Sequence, residues 1–145
     1  PVVEPKRFQT WIYAAPLAES AEVEIDGSEI HDFSWIGVAD AVAQHENGQL
    51  GMLPPTYITL CSLLRYANTE AMAEGETPQV PHEVFPIFTK DDGHVAVLFE
   101  GDAEYAPEDH VAADARHRAV MQDTNWVYLY ENVADQYPPF VSKQT

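Results

Sequence analysis

The segment Glu74 to Pro81, EGETPQVP, most constrains what this chain can fold into, because apolar spacing is helical just before it and strand-like after it. Upstream, YITLCSLLRYANTEAMAEG repeats apolar residues at helical spacing: Ile58, Cys61, Leu64 and Ala67, or Leu60, Leu63 and Ala67. This predicts one helix running from Tyr57 to Gly75. Pro54 and Pro55 fix the backbone ahead of it, and Thr56 is placed to cap its first turn. Downstream, four runs read as strands: Val84 to Thr89, His94 to Glu100, Arg116 to Met121 and Trp126 to Tyr130. Asp92-Gly93 predicts a tight hairpin between the first two, and Asp123 to Asn125 separates the last two. The fold class is therefore α+β, with a β-rich second half.

Nearer the start, RFQTWIYAAPL (Arg7 to Leu17) alternates Phe8, Thr10, Ile12 and Ala14 against Gln9, Trp11, Tyr13 and Ala15, which predicts a strand closed by Pro16. An acidic connection from Ala18 to Gly27 leads to a second expected strand, Ile30 to Ile36, antiparallel to the first and carrying Trp35 and Ile36 into the core. GVADAVAQHENGQ then predicts a short helix with Val38, Ala41 and Val42 on one face, stopped by Asn47 and Gly48.

At 145 residues, 46% of them hydrophobic, the chain is long enough for one core and a small appendage. Seven Lys and Arg stand against 24 Asp and Glu, a formal net charge of −17. Such a balance opposes attraction to nucleic-acid phosphates or an anionic membrane, keeps the chain soluble, and is tolerated in high ionic strength. The single cysteine, Cys61, lies among leucines and reads as a small buried hydrophobe in a reducing, cytoplasmic setting. No run approaches the roughly 18 apolar residues of a spanning helix. A start at Pro1 suggests a processed product or a piece of a longer protein.

Glu29 is the candidate for chemistry. It leaves the Asp26-Gly27-Ser28 turn and enters an expected strand, a functional group on a rigid support. Asp26, Glu29 and Asp32 together offer hard oxygen ligands suited to Mg²⁺, a bridge by which so acidic a chain could hold an anionic substrate. Arg116 and Arg118 flank His117, and strand alternation puts both guanidinium groups on one face, a fork for phosphate or carboxylate. Pairing with acids such as Asp114 and Asp123 is the plainer role for both, and Arg7 has the same two readings. The six histidines lack the close spacing of a zinc pair, and Trp11, Trp35, Trp126 and Tyr105 read as packing.

The ordered set RFQTWIYAAPL, an acidic loop, then SEIHDFSWIGVADAVAQHENGQLGMLPPTYITLCSL resembles the part of the Nudix hydrolase domain that follows its signature helix, most like the acyl-coenzyme A diphosphatase branch and its bacterial relatives. Arg7, Phe8 and Thr10 match the first motif, with Gln9 where an acid is common. Glu29 stands six positions ahead of Trp35, and Leu53, Pro54, Pro55 and Thr56 give the LPPT element. EGDAEYAPEDH, RHRAVM and NWVY resemble the C-terminal extension of the bacterial relatives. The resemblance implies a partial Nudix-like α/β/α sandwich with a mixed sheet over residues 1–75 and a β-rich extension over 76–145 packed on it. It implies Glu29 as catalytic residue and metal ligand, and Arg7, Arg116 and Arg118 as substrate-binding. The implied reaction is hydrolysis of the diphosphate bridge in coenzyme A, an acyl-coenzyme A or a related nucleoside-diphosphate compound. The signature Arg-Glu-x-x-Glu-Glu-x-Gly occurs nowhere between Pro1 and Thr145, so Mg²⁺ or Mn²⁺ is implied only with an upstream signature helix supplied. The chain alone is then expected to be inactive, and to associate with that segment or to form a homodimer. The alternative is a non-catalytic module binding a nucleotide, a coenzyme or a partner chain.

Overall fold

Helix α1, Val38–Glu46, forms where its apolar face predicts it, burying Ala41, Val42 and His45. The structure, a computed structural model, describes residues 9–17, 22–76, 83–106 and 110–141. Asn47 ends α1, and Gly48 follows at φ +72°, the left-handed value that a residue without Cβ takes freely.

Helix α2, Pro54–Leu63, begins at the proline pair and not after it. A proline ring presets φ near the helical value, and the N–H it lacks has no acceptor in a first turn anyway. Leu53 is therefore the extended cap residue, and Thr56 lies inside the first turn. The long helix expected from Tyr57 to Gly75 is two helices. The Asn68 side chain accepts the Ala71 N–H at 2.8 Å and starts α3, Thr69–Glu76. Both Arg65 and the Tyr66 hydroxyl donate to Glu76, which fastens α3 beside the end of α2.

Strands β1 (Ile87–Asp91), β2 (His94–Leu98), β3 (Arg116–Gln122) and β4 (Asn125–Glu131) form one open sheet, antiparallel throughout and ordered as in the chain. Asp92 and Gly93 both have positive φ, 48° and 87°, as the mirror-image two-residue hairpin turn requires. The β3–β4 hairpin also closes over two residues, with Asp123 at φ 54° and Gln122 opposite Asn125. Alternation along the strands gives two faces. Val97, Ala119 and Trp126, with Phe99 just beyond β2, meet Val42, Tyr57, Ile58 and Cys61 of α1 and α2 to make the core. Arg116, Arg118, Asp91 and Leu98 occupy the opposite face. Burial pushes the Cys61 thiol up to about 11, so it stays protonated and packs as a small hydrophobe.

A buried histidine locks α1 to β4. Nδ1 of His45 donates to the Leu50 carbonyl at 2.8 Å, and its Nε2 accepts the Trp126 N–H at 2.9 Å. The pair of bonds assigns a neutral imidazole with its proton on Nδ1. Beside it the Asn125 amide donates to the Glu46 carbonyl.

The two strands expected before α1 are not formed. Gln9 to Leu17 and Glu22 to Ile36 make no ladder, and Trp35, expected in the core, is 71% exposed. Alternation describes the surface a strand would offer, whereas a strand exists only if a neighbour takes its N–H and C=O groups, and an isolated two-stranded ribbon is marginal in water. Arg7 and Phe8 lie outside the described residues.

His45→Ala should lower unfolding stability by about 2–3 kcal/mol, since the buried Trp126 N–H loses its acceptor, whereas Asn125→Ala at the exposed end should cost at most about 1 kcal/mol. Urea midpoints at an unchanged slope measure both.

Candidate functional site

Glu29 stands on a tight turn organised by Asp26. One carboxylate oxygen of Asp26 accepts the N–H groups of Ser28, Glu29 and Ile30 at 3.0 to 3.2 Å, and the other accepts the Ser28 hydroxyl. The N–H of Ile30, followed by the N–H and hydroxyl of Ser28, pulls the Asp26 pKa down to about 2. Asp26 is thus engaged within the turn, and Asp32 accepts the Phe33 N–H. Among the described residues no three His, Cys, Asp or Glu side chains converge where they could hold a metal ion. The expected Asp26, Glu29 and Asp32 ligand set therefore does not assemble, these residues do not fit a magnesium ion by themselves, and no chemical step is routed through one. Glu29 itself is exposed.

Arg116 and Arg118 do share a face, as alternation predicts, but both point into acids. Each donates to the same oxygen of Asp91 at 3.1 Å. Arg118, 1% exposed, also grips Asp102 through Nε at 2.8 Å and a terminal nitrogen at 2.6 Å. Asp102, equally buried, takes two further donors, the N–H groups of His117 and Glu104. Burial alone would lower the Arg118 pKa, and the bonds and charge of Asp102 reverse this, so it rises above the ordinary guanidinium value. The expected pairing with acids is thus present, through Asp91 and Asp102 rather than the examples Asp114 and Asp123; Asp114 accepts from Asn132. These two arginines and Glu29 are not brought together by any contact found among the described residues.

The strand that turns its arginines outward turns His117 inward, 3% exposed, and here lies the most site-like feature of the chain. Nδ1 of His117 donates to the Glu100 carbonyl at 2.6 Å, leaving Nε2 as a lone-pair acceptor, buried and with no hydrogen-bond partner among the described residues. Desolvation holds the imidazole pKa below its ordinary value near 6.5. Aromatic rings surround it: Phe140 at 4.9 Å between centroids, Tyr130 at 5.3 Å, Phe99 at 5.4 Å and Tyr128 at 5.8 Å. A cavity of about 130 Å³ opens beside the ring, walled by Phe85, Phe99, Tyr137, Pro138 and Phe140, with Glu83 and Glu100 also on its lining. Tyr137 also borders a neighbouring cavity of about 160 Å³ and lies so close to Gly101 that an added Cβ would meet its ring at 2.7 Å. Gly101 has φ +88° as well, so both backbone and space demand glycine there.

In the sequence His117 stands out only as one of six histidines without the spacing of a zinc pair, and nothing local marks Asp102. The available signal was the alternation of RHR itself, since two arginines on one face of a strand place the intervening histidine on the other.

Among the described residues the fold is thus an α+β arrangement of three helices followed by a four-stranded antiparallel open sheet. No helix among the described residues is long and apolar enough to cross a membrane. Compared with protein-family models, with curated proteins and with solved structures, the chain has no match in any of the three.

Asp102→Ala should destabilise the fold by about 3 kcal/mol by removing the buried guanidinium's closest partner and leaving it Asp91 and the more exposed Glu104. A double-mutant cycle with Arg118→Met should return at least about 1 kcal/mol of coupling by chemical denaturation. His117 predicts a pH trend: its folded pKa is depressed, so the unfolded chain binds the proton first and stability falls as pH drops below about 6.5 toward the folded value. Denaturation midpoints between pH 8 and 5 should show this loss, and His117→Phe should flatten it.

Proposed function

We propose that the chain is the C-terminal portion of a Nudix-like hydrolase that cleaves the diphosphate linkage of coenzyme A, an acyl-coenzyme A or a similar nucleoside-diphosphate compound, and that it is inactive without an upstream segment bearing the signature carboxylates. The ordered motifs around Phe8, Glu29, Trp35 and Leu53 to Thr56 are its basis. One structural observation supports it best: the stretch carrying Glu29 leaves Ile25, Ile30, Phe33, Trp35 and Ile36 exposed, and Trp11, Ile12 and Tyr13 are exposed as well. A globular protein rarely leaves so many large apolar side chains of strand-patterned chain uncovered, so a neighbour that covers them in the complete domain accounts for it economically. In the complete domain, residues 9–36 would join a mixed sheet within an α/β/α sandwich, and Glu29 would face the signature helix. There it would bind the metal or orient the attacking water, while Mg²⁺ or Mn²⁺ would supply Lewis acidity.

A second reading, a non-catalytic nucleotide-binding, coenzyme-binding or interaction module, is favoured by the lack of three converging metal donors among the described residues and by the acid partners that occupy Arg116 and Arg118.

The test is a Mg²⁺-dependent assay on coenzyme A and ADP-ribose, with the 145-residue chain alone and with an upstream segment restored. The chain alone should show no turnover, and the restored protein should hydrolyse. Glu29→Gln should then reduce turnover by roughly 10²-fold or more. Undiminished rates in that variant would remove Glu29 from the chemistry, and absence of turnover in the restored protein would favour the binding module.

A further inference from the structure

The aromatic chamber at His117 stands apart from Glu29 and from the diphosphate reading, and it has its own chemistry. We propose that it is a binding site for a small ligand built on one aromatic ring, neutral or cationic, that carries an O–H or N–H donor, with His117 Nε2 as the acceptor.

Size comes first. About 130 Å³ is far below the several hundred Å³ of a whole-coenzyme pocket and comparable to cavities of about 150 Å³ known to hold benzene. The walls come next. Phe85, Phe99, Tyr137 and Phe140 offer ring faces and edges, and aromatic groups gain most from such neighbours in stacked or edge-on contact. Polarity then selects the substituent. Nδ1 of His117 is committed to the Glu100 carbonyl, which fixes the tautomer, so Nε2 presents a lone pair and can only be satisfied by a donor. A water beside it has aromatic rings on several sides and gains few of the two to four bonds that normally retain a buried water. Charge excludes the remaining class. Glu83 and Glu100 are among the lining residues, and in a chain of net charge −17 such surroundings disfavour a carboxylate or phosphate on the ligand.

The chamber is partly set in advance. Tyr137 is seated over Gly101, and Tyr130 donates its hydroxyl to the Tyr137 carbonyl at 2.7 Å, so this wall is held from two sides. Phe140 lies on irregular chain, 4.9 Å from the imidazole centroid. Nε2 is closed to solvent, so the donor of an entering ligand reaches it only with a shift of a bordering ring; Phe140, whose own N–H donates to the Tyr128 hydroxyl at 3.1 Å, is the nearest of the four rings to the imidazole.

Phenol is the simplest probe, anisole its analogue without the donor, and benzoate the anionic control. Titration of the 145-residue chain by NMR should show phenol binding roughly tenfold tighter than anisole, the worth of one buried hydrogen bond, with benzoate weaker than both. The ¹⁵N resonance of His117 Nε2 should move on saturation with phenol and stay in place with anisole. In His117→Phe the phenol-to-anisole ratio should fall to near one while ring binding persists. Should that variant fail to fold, the wild-type ratio and the nitrogen shift decide the matter without it. Equal affinity for phenol and anisole, phenol binding with an unmoved Nε2 resonance, or no binding of phenol at millimolar concentration would each overturn the proposal.

Discussion

The pairing of Arg118 with Asp102 is the interaction on which the arrangement of the second half depends. In a chain with seven cationic side chains and 24 carboxylates, almost every acid must remain in water, and a buried acid needs a committed partner. Asp102 has one, together with two backbone N–H donors, so the carboxylate carries four hydrogen bonds and no stranded lone pair of consequence. A buried ion pair of this kind adds little net stability over apolar packing, because both ions lose their hydration. What it fixes is geometry. It draws the chain after β2 back across the sheet and holds Glu100 where its carbonyl meets His117.

The two faces of β3 are therefore coupled through one loop. Asp102 takes the N–H of His117 on the strand and the side chain of Arg118 on the outer face, while His117 turns inward among aromatic rings. Gly101, immediately before Asp102, makes the turn possible and leaves room for Tyr137. A short run, EGD, thereby sets an ion pair on one side of the sheet and the wall of a chamber on the other.

Local patterns were readable where each element completes itself. The β3–β4 hairpin, the Asp92-Gly93 turn and α1 stand within a few residues of their expected bounds because period, turn chemistry and helix stop all lie in adjacent sequence. The break between α2 and α3 was hidden by an apolar stripe that runs through Asn68, whose capping bond outweighs continuity of the stripe. Residues 9–36 misled for a different reason: alternation near Trp11 and Trp35 is a property of side chains, whereas a ladder is a property of two segments. Of the candidate site, the shared face of Arg116 and Arg118 was legible from alternation, but the identity of their acid partners was not, since Asp91 and Asp102 approach only through the sheet register and the loop after β2.

The open meander also sets an order of assembly. Each outer pair of strands is joined by a two-residue turn, so either hairpin can close on the microsecond scale without waiting for the rest of the chain. Joining them across β2 and β3 must instead close the long connection spanned by Asp102 and Arg118, sixteen residues apart, whose entropy is recovered only when the ion pair and the central ladder form together. The slowest event in building this sheet is therefore its middle, and the two charges that meet there act as the latch between halves that are already made.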